Sequence, residues 1–300
     1  MHIQFQDLQL FVQVAEAGNL TQGARRAFLS APAASARIRG LEQQLGAQII
    51  YRSNKGVSLT KAGETLLHHA RLILRQVDFL KDDFASGETG GHVRIFANTT
   101  AVTEFLPEFL ARFLADRPQL TVDLQERLTH DILRGIQDGT ADLGIFSGEV
   151  DAGGLEVIRF STDRLLLATP RDHRLAESGE VRFAETLDCE HIGLHEGSTL
   201  LAFLRSLMEK NGYERALRIQ VRSFEAMCRM VEAGVGIGVV PESAARRHAR
   251  TMRLSLVRLS DEWALRDRCV AVRDRTALPR SARALVDALV RSGVGGDTAA

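Results

Sequence analysis

Two groups of residues have types and spacings that could serve catalysis or cofactor binding. Glycines occupy Gly234, Gly236 and Gly238, but a dinucleotide-binding loop places its third glycine one position later and leads out of a strand, whereas this run leads into one. His191 and His195 are four residues apart. The HIGLH segment is typical of a strand, in which four residues span about 13 Å, too far for one metal ion. We therefore predict no metal site, no cofactor and no enzymatic activity.

Composition sets the class of protein. The 300 residues carry no net charge, 45% are apolar and 25% are charged, which excludes a disordered chain and a uniformly basic, histone-like protein. The three cysteines, Cys189, Cys228 and Cys269, are isolated and odd in number, which favours a reducing cytoplasm over a disulfide framework. No apolar run is long enough to span a bilayer and no signal peptide is evident, so we predict a cytoplasmic protein. Its length, about twice that of a usual single domain, predicts two or more domains.

The N-terminal segment carries a small excess of positive charge. Residues 1–60 carry six Lys or Arg against three Asp or Glu, whereas residues 61–300 carry three more acids than bases. This excess suits a module that contacts phosphates. The alternative is a solvated surface without a partner, because the excess is small.

Three short helices and a hairpin would position these cations. The predicted helices span 5–17, about 20–27 and about 31–45. Asn19 with Gln22 forms a capping box for the second helix, and Ser30 caps the third, with Pro32 in its first turn. The short connection predicts a helix-turn-helix over about 20–39. Strand-like segments at 48–51 and 57–59 then flank a polar, basic tip, which predicts a wing.

A heptad pattern follows the predicted wing. Apolar residues alternate at spacings of four and three along a helix predicted over 61–86: Leu66, Ala70, Ile73, Val77, Leu80 and Phe84. A lone helix of this length would leave its seam in water, so we predict that it forms a dimer. The alternative is an amphipathic helix packed on its own chain. The glycine-rich residues 87–91 predict a flexible linker.

The segment 19–63 resembles the N-terminal domain of LysR-type transcriptional regulators. The resemblance rests on Ser-x-Pro-Ala-x-Ser-x-x-Ile from Ser30, Leu-Glu-x-x-Leu-Gly from Leu41 and Leu-Thr-x-Ala-Gly from Leu59. It continues more loosely over nearly the whole chain. It implies a winged helix-turn-helix over 1–60, a linker-helix dimer that is often a tetramer, and a ligand-binding domain like the periplasmic binding proteins over 92–292.

The resemblance also implies which residues contact DNA. Recognition-helix contacts map onto Ala31, Pro32, Ser35 and Ala36, and a wing contact maps onto Arg52. Positions 31 and 36 commonly carry polar readers in the family, and here both are Ala, which offers only an apolar contact to a thymine methyl. Arg37 and Arg39 are candidates to compensate, although a solvated surface is the alternative for both. The residues predicted to hold phosphates, which position rather than specify, are Thr21, Ser30, Arg52 and Lys55.

Beyond residue 92, predicted strands and helices alternate. Strands are predicted at 93–97, 121–126 and 142–146, with helices at 102–114, kinked or restarted at Pro107, and at 129–138. This order predicts a parallel sheet with helices on both faces. A second unit has predicted strands at 164–169, 191–194, 218–222 and 236–240, and helices at 199–210 and 224–233.

Residues 269–273 and a helix over 279–291 are predicted to return to the first unit. The predicted lobes are lobe I over 92–161 and 268–292 and lobe II over 162–267, with a tail at 293–300. Crossovers near 161–164 and 262–268 would form a hinge and a cleft. The resemblance implies this two-lobed form, whereas the hydrophobic periodicity alone supports only an alternation of strands and helices.

Residues with small polar side chains follow several of these strands. Ligands of such sheets bind at the carboxyl ends of strands, where helix N-termini present N–H groups. Asn98, Thr99 and Thr100 lie at one predicted strand end, and Ser198 and Thr199 lie at another, which suits a carboxylate or another oxyanion. The family's effector positions match Thr99, Thr100, Ser147, Thr169, Ser198 and Phe224. The alternative is that these residues only cap helices.

The sequence therefore predicts an α/β protein with an N-terminal all-α winged helix-turn-helix, a long linker helix and a two-lobed effector domain. The predicted function is regulation of transcription from double-stranded DNA in response to a small effector, as a homodimer or homotetramer. RNA polymerase is a further candidate partner, and no membrane is involved. The competing hypothesis is a small-molecule binding protein or enzyme of the periplasmic-binding-protein-like fold fused to a helical interaction module.

Overall fold

The structure, a computed structural model, describes residues 3–53, 56–85, 91–212 and 217–294. The chain divides into two compact units, residues 1–91 with 137–140 and residues 92–136 with 141–300. The first unit is built mainly from helices, and the second is built around a mixed sheet flanked by helices.

The first unit contains the three short helices and the hairpin. Their bounds are α1 (Phe5–Ala17), α2 (Leu20–Arg26), α3 (Ala31–Leu45), β1 (Ile50–Ser53) and β2 (Gly56–Leu59). The predicted caps are confirmed, because the Asn19 side chain accepts the N–H of Gln22 and the Ser30 side chain accepts the N–H of Ala33. These caps satisfy N–H groups that have no partner inside the helix, and so they fix where α2 and α3 begin.

Helices α1 and α2 approach each other most closely where Gly23 faces Val14. An ideal Cβ at Gly23 would lie 2.5 Å from the Cα of Val14. Carbon atoms cannot approach so closely, so a glycine is needed at this crossing. The close approach helps to form a common core, whose fully buried members include Leu10, Phe11, Ile38 and Leu41.

The turn between α2 and α3 has an unusual residue at its centre. The N–H of Phe28 donates to the carbonyl of Arg25, and the N–H of Leu29 donates to the carbonyl of Ala24. These two bonds define a Schellman motif, whose left-handed residue is usually glycine. Here that residue is Phe28, with φ of 56° and 96% of its surface exposed. The turn therefore carries backbone strain that the ring does not offset by packing.

One long helix, α4 (Lys61–Ala85), follows the hairpin. Thr60 Oγ1 accepts the N–H of Gly63 at 3.0 Å and donates to the carbonyl of Gln48 at 2.6 Å, so one side chain starts α4 and ties it to the hairpin. Most of the predicted linker at 87–91 lies outside the described residues.

The second unit contains two groups of elements, which we call lobe I and lobe II. Lobe I consists of β3 (Gly91–Ala97), α5 (Thr99–Glu104), α6 (Leu106–Ala115), β4 (Leu120–Glu126), α7 (Thr129–Gln137), β5 (Leu143–Ser147) and α11 (Arg280–Val294). Lobe II consists of β7 (Glu180–Val181), β8 (Ile192–Leu194), α8 (Thr199–Lys210), β9 (Ile219–Val221), α9 (Phe224–Glu232), β10 (Gly238–Pro241), α10 (Glu242–Ala249) and β11 (Leu254–Leu259). Two strands, β6 (Glu156–Pro170) and β12 (Leu265–Val272), connect the lobes.

The main sheet is mixed, which corrects the prediction of a parallel sheet. Its strand order is β4-β3-β5-β12-β6-β11-β7, and β10 also pairs with β6. β3 and β5 are parallel, as predicted, but β12 is antiparallel to both β5 and β6. The parallel rule fails here because β6 and β12 are crossover strands, and not successive strands of a βαβ unit. The predicted strand at 164–169 is also too short, since β6 begins eight residues earlier.

Each lobe has its own hydrophobic core. Phe160 belongs to the core of lobe I, whereas Leu165, farther along the same strand, belongs to the core of lobe II. On the return path, Ala264 belongs to lobe II and Val270 to lobe I. The chain thus passes between the cores twice, along β6 and along β12, and these two strands are paired over residues 156–164 and 265–272.

Two details of lobe I concern helix ends. The helical stripe over 102–114 restarts rather than kinks, because α5 ends at Glu104 and α6 begins at Leu106, with Pro107 in its first turn. The last helix, α11, continues to Val294 and so includes the first two residues of the predicted tail. Residues 295–300 lie outside the described part of the chain.

Candidate functional site

The predicted DNA contacts lie on accessible parts of the first unit. Thr21, Ser30, Pro32, Ala36, Arg39 and Arg52 are exposed, and Ala31, Ser35 and Arg37 are half-buried. Lys55 lies outside the described residues. The hairpin strands are antiparallel, with Arg52 opposite Val57. α3 therefore presents a largely small-residue surface, bordered by cations.

One hydroxyl organises two of these cations. Ser35 Oγ accepts a hydrogen bond from Arg52 Nη1 at 2.7 Å and another from Arg39 Nη1 at 3.1 Å. We call these three residues the cationic cluster. Neither arginine has a carboxylate partner within the described residues, so the cluster carries two positive charges. The bonds bring the wing and α3 together at one point, and both guanidinium groups keep further donors free for phosphate.

Arg37 has a different role. Its Nε lies 3.1 Å from Asp7 Oδ1, and its Nη2 donates to Gln4 Oε1 at 3.1 Å. The Asp7 carboxylate neutralises this charge, and the contacts fasten α3 to the start of α1. These contacts disfavour the predicted role of Arg37 as a compensating DNA contact, because they already engage its guanidinium inside the unit.

The predicted dimer seam divides into two halves. Ala70 is fully buried against Leu8 and Val12 of α1, and Leu66 packs on the same cluster. Ala70 therefore lies inside its own unit, which corrects its assignment to the seam, whereas Leu66 is only half-buried and stays a predicted seam residue. The exposed apolar residues of α4 lie farther along it and comprise Ile73, Leu80 and Phe84, with Val77 half-buried between them.

Two adjoining cavities lie between lobe I and lobe II. The narrow cavity, about 20 Å³, is lined by Asn98, Thr99, Thr100, Arg127, Leu128, Thr129, Leu194, Gly197, Ser198, Thr199, Leu200 and Arg266. The wide cavity, about 460 Å³, is lined by Ser147, Gly148, Glu149, Val150, Thr199, Leu200, Ala202, Phe203, Trp263, Leu265, Arg266 and Asp267. Thr199, Leu200 and Arg266 line both, so we treat the two cavities as one cleft.

Contacts across the cleft hold the lobes together in this conformation. Thr129 Oγ1 of lobe I donates to Thr199 Oγ1 of lobe II at 3.3 Å. At the edge of the lobes, Arg247 of α10 binds Glu104 of α5, with Nη2 2.6 Å from Oε1. The Glu104 side chain is almost wholly buried, which makes this ion pair less screened than a surface pair.

Arg266 is the most unusual group of the cleft. Its side chain is only 9% exposed, and its Nη2 donates to Asp163 Oδ2 at 2.5 Å. Arg268 donates to the other oxygen of the same carboxylate at 3.2 Å. Two arginines thus share one buried acid, which leaves one net positive charge. The Arg266 Nε is buried and has no hydrogen-bond partner, and such a donor costs free energy unless it is paired.

The start of α8 adds neutral donors beside Arg266. Ser198 caps this helix by accepting the N–H of Leu201. The N–H groups of Thr199 and Leu200, at the first helical positions, have no acceptor in the helix. Both residues line the cleft. The positive end of this helix and the Arg266 guanidinium therefore meet at the narrow cavity.

The predicted effector residues at the start of α5 are partly used by the fold. The Asn98 side chain accepts the N–H of Ala101, so it acts as a cap. Thr99 Oγ1 donates to Glu126 Oε1 at 2.6 Å, which places a carboxylate beside it. Thr100 is buried and lines the narrow cavity. An anion in the cleft is consequently favoured on the α8 side, away from Glu126.

Two predicted effector residues do not line the cleft. Phe224 is 2% exposed and belongs to the core of lobe II. Thr169 is fully buried, and its hydroxyl has no partner within the described residues. Neither residue lines the narrow or the wide cavity, so we do not retain them in the site.

Residues that the sequence did not identify form much of the cleft. Arg266, Phe203 and Trp263 were not predicted as effector contacts. The signal for Arg266 was the alternation of charges in residues 266–268, within a predicted crossover close to an apolar strand. Phe203 and Trp263 carried no local signal, because an aromatic residue on a helix or turn is more often part of a core.

Burial suppresses the reactivity of the thiols of the second unit. Burial raises the pKa of the Cys228 thiol to about 11, and burial also raises the pKa of Cys189 and of Cys269. The reactive thiolate is therefore scarce at neutral pH. Burial lowers the pKa of His191, which favours its neutral form. Across the described ranges, no group of three or more His, Cys, Asp or Glu could hold a metal ion.

In the part of the chain that the structure describes, no helix combines the length and the apolar character that a membrane span requires.

Comparison with known proteins connects this geometry to a family. Residues 5–64 match a family model described as "Bacterial regulatory helix-turn-helix protein, lysR family", and residues 86–293 match one described as "LysR substrate binding domain". The second match alone covers more than half of the chain.

Relatives and solved structures agree with these matches. The chain is 28% identical over 259 residues to a "Probable RuBisCO transcriptional regulator" of Porphyra purpurea, covering 83% of this chain and 80% of the relative. It is 29% identical over 261 residues to the "Uncharacterized HTH-type transcriptional regulator YnfL" of Escherichia coli, covering 84% and 87%. Full-length OxyR from Pseudomonas aeruginosa shares the fold, with a TM-score of 0.75, 21% identity and coverage of 97% and 95%. The chain therefore belongs to the LysR family of bacterial transcriptional regulators, which bind DNA and are not enzymes.

Proposed function

We propose that this regulator binds duplex DNA as a homodimer through α3 and the wing, and that a small oxyanion bound in the cleft controls the DNA complex. The effector part of the proposal is carried by one observation, the buried and unpaired Nε of Arg266 in the wall of the cleft. The DNA part is supported by the cationic cluster and by the family match over residues 5–64.

Positive charge on the first unit supports contact with the DNA backbone. Arg39 and Arg52 extend from a surface on which Ala31 and Ala36 replace longer polar side chains. Arginines that neutralise phosphates release counterions, which makes binding fall steeply with salt. The small residues of α3 permit a close approach to the major groove, where apolar contacts with thymine methyls contribute to sequence preference.

The exposed half of the α4 seam supports a dimer. Ile73, Leu80 and Phe84 are large apolar side chains on one stripe of a long helix, and each is about half or more exposed. Pairing with a second copy would remove this surface from water. Two recognition helices at a fixed spacing would then read two half-sites.

The cleft supports an anionic effector because its narrow end offers donors on the α8 side, away from the Glu126 carboxylate beside Thr99. The Asp163, Arg266 and Arg268 group carries one uncompensated positive charge, and α8 adds its N-terminal N–H groups. A carboxylate or similar oxyanion would satisfy the Arg266 Nε and bring opposite charge to the group. Such a ligand would contact both lobes. It shifts the equilibrium between two arrangements of the lobes only if it binds one arrangement more tightly than the other.

Selection of bound duplexes from a random pool tests the DNA part. The full chain is expected to enrich an inverted repeat, and the substitution Ile73→Glu is expected to leave the chain monomeric in sedimentation equilibrium and to abolish the enrichment. The control Thr65→Glu adds the same charge to an exposed position in the half of α4 that packs on α1, eight residues before Ile73. A pool that stays random, or an Ile73→Glu chain that dimerises and selects normally, contradicts the proposal.

A thermal-shift panel of acetate, formate and sulfate tests the effector part. A binding anion stabilises the full chain by mass action. The shift is expected to disappear in Arg266→Gln, which keeps a polar group but removes the charge. Anion shifts of equal size in the two proteins would remove Arg266 from the proposal.

A further inference from the structure

We infer that the cleft is built for a monoanion with an apolar body of about one ring, such as an arylcarboxylate. The inference rests on the proposed function, since it assigns a chemical class to the ligand of the same cleft. It comes from the apolar side chains and the acidic rim of the wide cavity, which the proposal of an anionic effector does not use.

The wide cavity is too large for a simple oxyanion. Its volume, about 460 Å³, lies within the range of about 300–1,000 Å³ that small-molecule pockets occupy. An ion the size of acetate bound at Arg266 would leave most of that space to water. A ligand that fills the cleft therefore extends from Arg266 into the wide cavity.

The walls of the wide cavity are apolar. Phe203 is 38% exposed, and Leu265 is also exposed; both line this cavity, together with Val150 and Leu200. Large apolar side chains are costly to leave in water. Their grouping in one concave surface next to a buried cation indicates a ligand with an apolar portion.

Aromatic contacts hold one wall in place. The Trp263 ring lies edge-on to Phe203, with centroids 5.2 Å apart, and edge-on to Phe183, with centroids 5.5 Å apart. Phe183 is 2% exposed in the lobe II core. Trp263 is thus fixed between a core ring and a cavity ring, and a planar ligand would meet a preformed surface at a low cost in side-chain entropy.

The rim of the wide cavity disfavours a second negative charge. Glu149 is exposed at the rim and has no cationic partner among the described ion pairs, and Asp267 lies beside it with Arg159 as its partner at 2.9 Å. A second carboxylate at the far end of a ligand would face these acids. The cleft therefore has a positive narrow end, an apolar middle and an acidic rim, which together suit one anionic group on an apolar body.

Calorimetric titration of the full chain with four probes tests the inference. Benzoate is expected to bind at least about tenfold more tightly than acetate, because its ring buries apolar surface, and more tightly than benzyl alcohol, which lacks the charge. Terephthalate, a dianion of similar shape, is expected to bind more weakly than benzoate. Benzoate should also change the fluorescence of Trp263, the single tryptophan of the chain.

Three variants assign these preferences to residues. Phe203→Ala is expected to weaken benzoate about tenfold and to leave acetate unchanged. Val157→Ala, at a residue that is similarly exposed but lines neither cavity, is the matched control and should change neither affinity. Glu149→Gln should reduce the difference between benzoate and terephthalate, and since Glu149 is exposed this substitution does not threaten folding.

Each outcome separates this inference from the proposed function. If benzoate and acetate bind with equal affinity and binding is still lost in Arg266→Gln, the ligand does not need an apolar body. The anion site at Arg266 then remains supported. Equal affinities for benzoate and benzyl alcohol overturn the anion site and leave an apolar pocket. Tighter binding of terephthalate than of benzoate overturns the inference that the ligand carries a single negative charge. Absence of binding by all four probes overturns both the inference and the effector part of the proposed function.

Discussion

The arginines of the DNA-contacting surface and the arginine of the cleft differ in how they are held. Arg39 and Arg52 are exposed and share the hydroxyl of Ser35. Arg266 is buried, is paired with the carboxylate of Asp163, and retains an unpaired donor. The first arrangement costs little to maintain and contributes little to the stability of the fold. The buried arrangement at Arg266 destabilises the fold unless each charged group keeps its partner.

This difference matches the two kinds of anion that we assign to the regions. A DNA backbone presents many phosphates at regular spacing, so each cation needs only approximate placement, and binding is strongly salt-dependent. A small effector presents one charged group, so discrimination requires a buried donor that is costly to leave unpaired. Exposed cations give affinity for a polyanion, whereas a buried cation gives selectivity for one ion.

Removing the shared acid of the cleft is expected to have the largest effect. Asp163→Asn leaves Arg266 and Arg268 without a carboxylate in a buried position, and should lower the free energy of unfolding of the second unit by about 3–5 kcal/mol. Urea unfolding followed by Trp263 fluorescence measures this change. The control Asp267→Asn removes a partner from an exposed pair and should cost less than about 1 kcal/mol. Similar losses in the two variants would abolish the distinction between buried and exposed arginines.

The helix crossing of the first unit gives the next effect. Gly23→Ala places a methyl group against the backbone of Val14. The forced separation of α1 and α2 should destabilise the first unit by about 1–3 kcal/mol. Thermal unfolding followed by circular dichroism detects the loss, while the unfolding reported by Trp263 in the second unit should not move. An unchanged first transition would show that the two helices separate at no cost.

The exposed cations are predicted to act on salt dependence rather than on stability. Arg52→Ala should reduce the slope of log K against log salt for DNA binding by about 0.9, the value for one phosphate contact. Arg37→Ala is the informative control, because Asp7 already neutralises that charge, so its slope should not change. A lower slope in Arg37→Ala and not in Arg52→Ala would reverse the roles that we assign to these residues.

The turn of the helix-turn-helix gives the smallest effect. Phe28→Gly removes a left-handed backbone strain that the exposed ring does not offset, and the glycine loses more backbone entropy on folding. The net result should be a gain of about 0.5–1 kcal/mol in the stability of the first unit. Circular dichroism melting measures this gain. A loss of stability would contradict the claim that the Phe28 ring does not offset the backbone strain.

Sequence patterns predicted features whose causes are local. Asn19 and Ser30 were identified as caps because a cap depends only on the residue and on the N–H groups two or three positions later, and both caps are present. The restart of the helix at Pro107 has the same local origin.

Features that depend on distant partners were missed or assigned to the wrong place. Nothing near Arg37 in the sequence indicates Asp7, and nothing near Ala70 indicates that α1 covers it. The direction of β12 in the sheet depends on β6, which lies a hundred residues away in the chain. Arg266 gains its importance from Asp163 on the other crossover strand, so no local pattern could identify it as part of the cleft.

We propose that an anion held by Arg266 controls binding to DNA. The most direct measurement is the fluorescence anisotropy of a selected, labelled duplex titrated with the full chain, with and without saturating benzoate, for the natural sequence and for Arg266→Gln. Benzoate is expected to shift the DNA affinity of the natural chain and to leave that of the variant unchanged. Identical DNA affinity with and without bound benzoate, or an equal shift in Arg266→Gln, would contradict it.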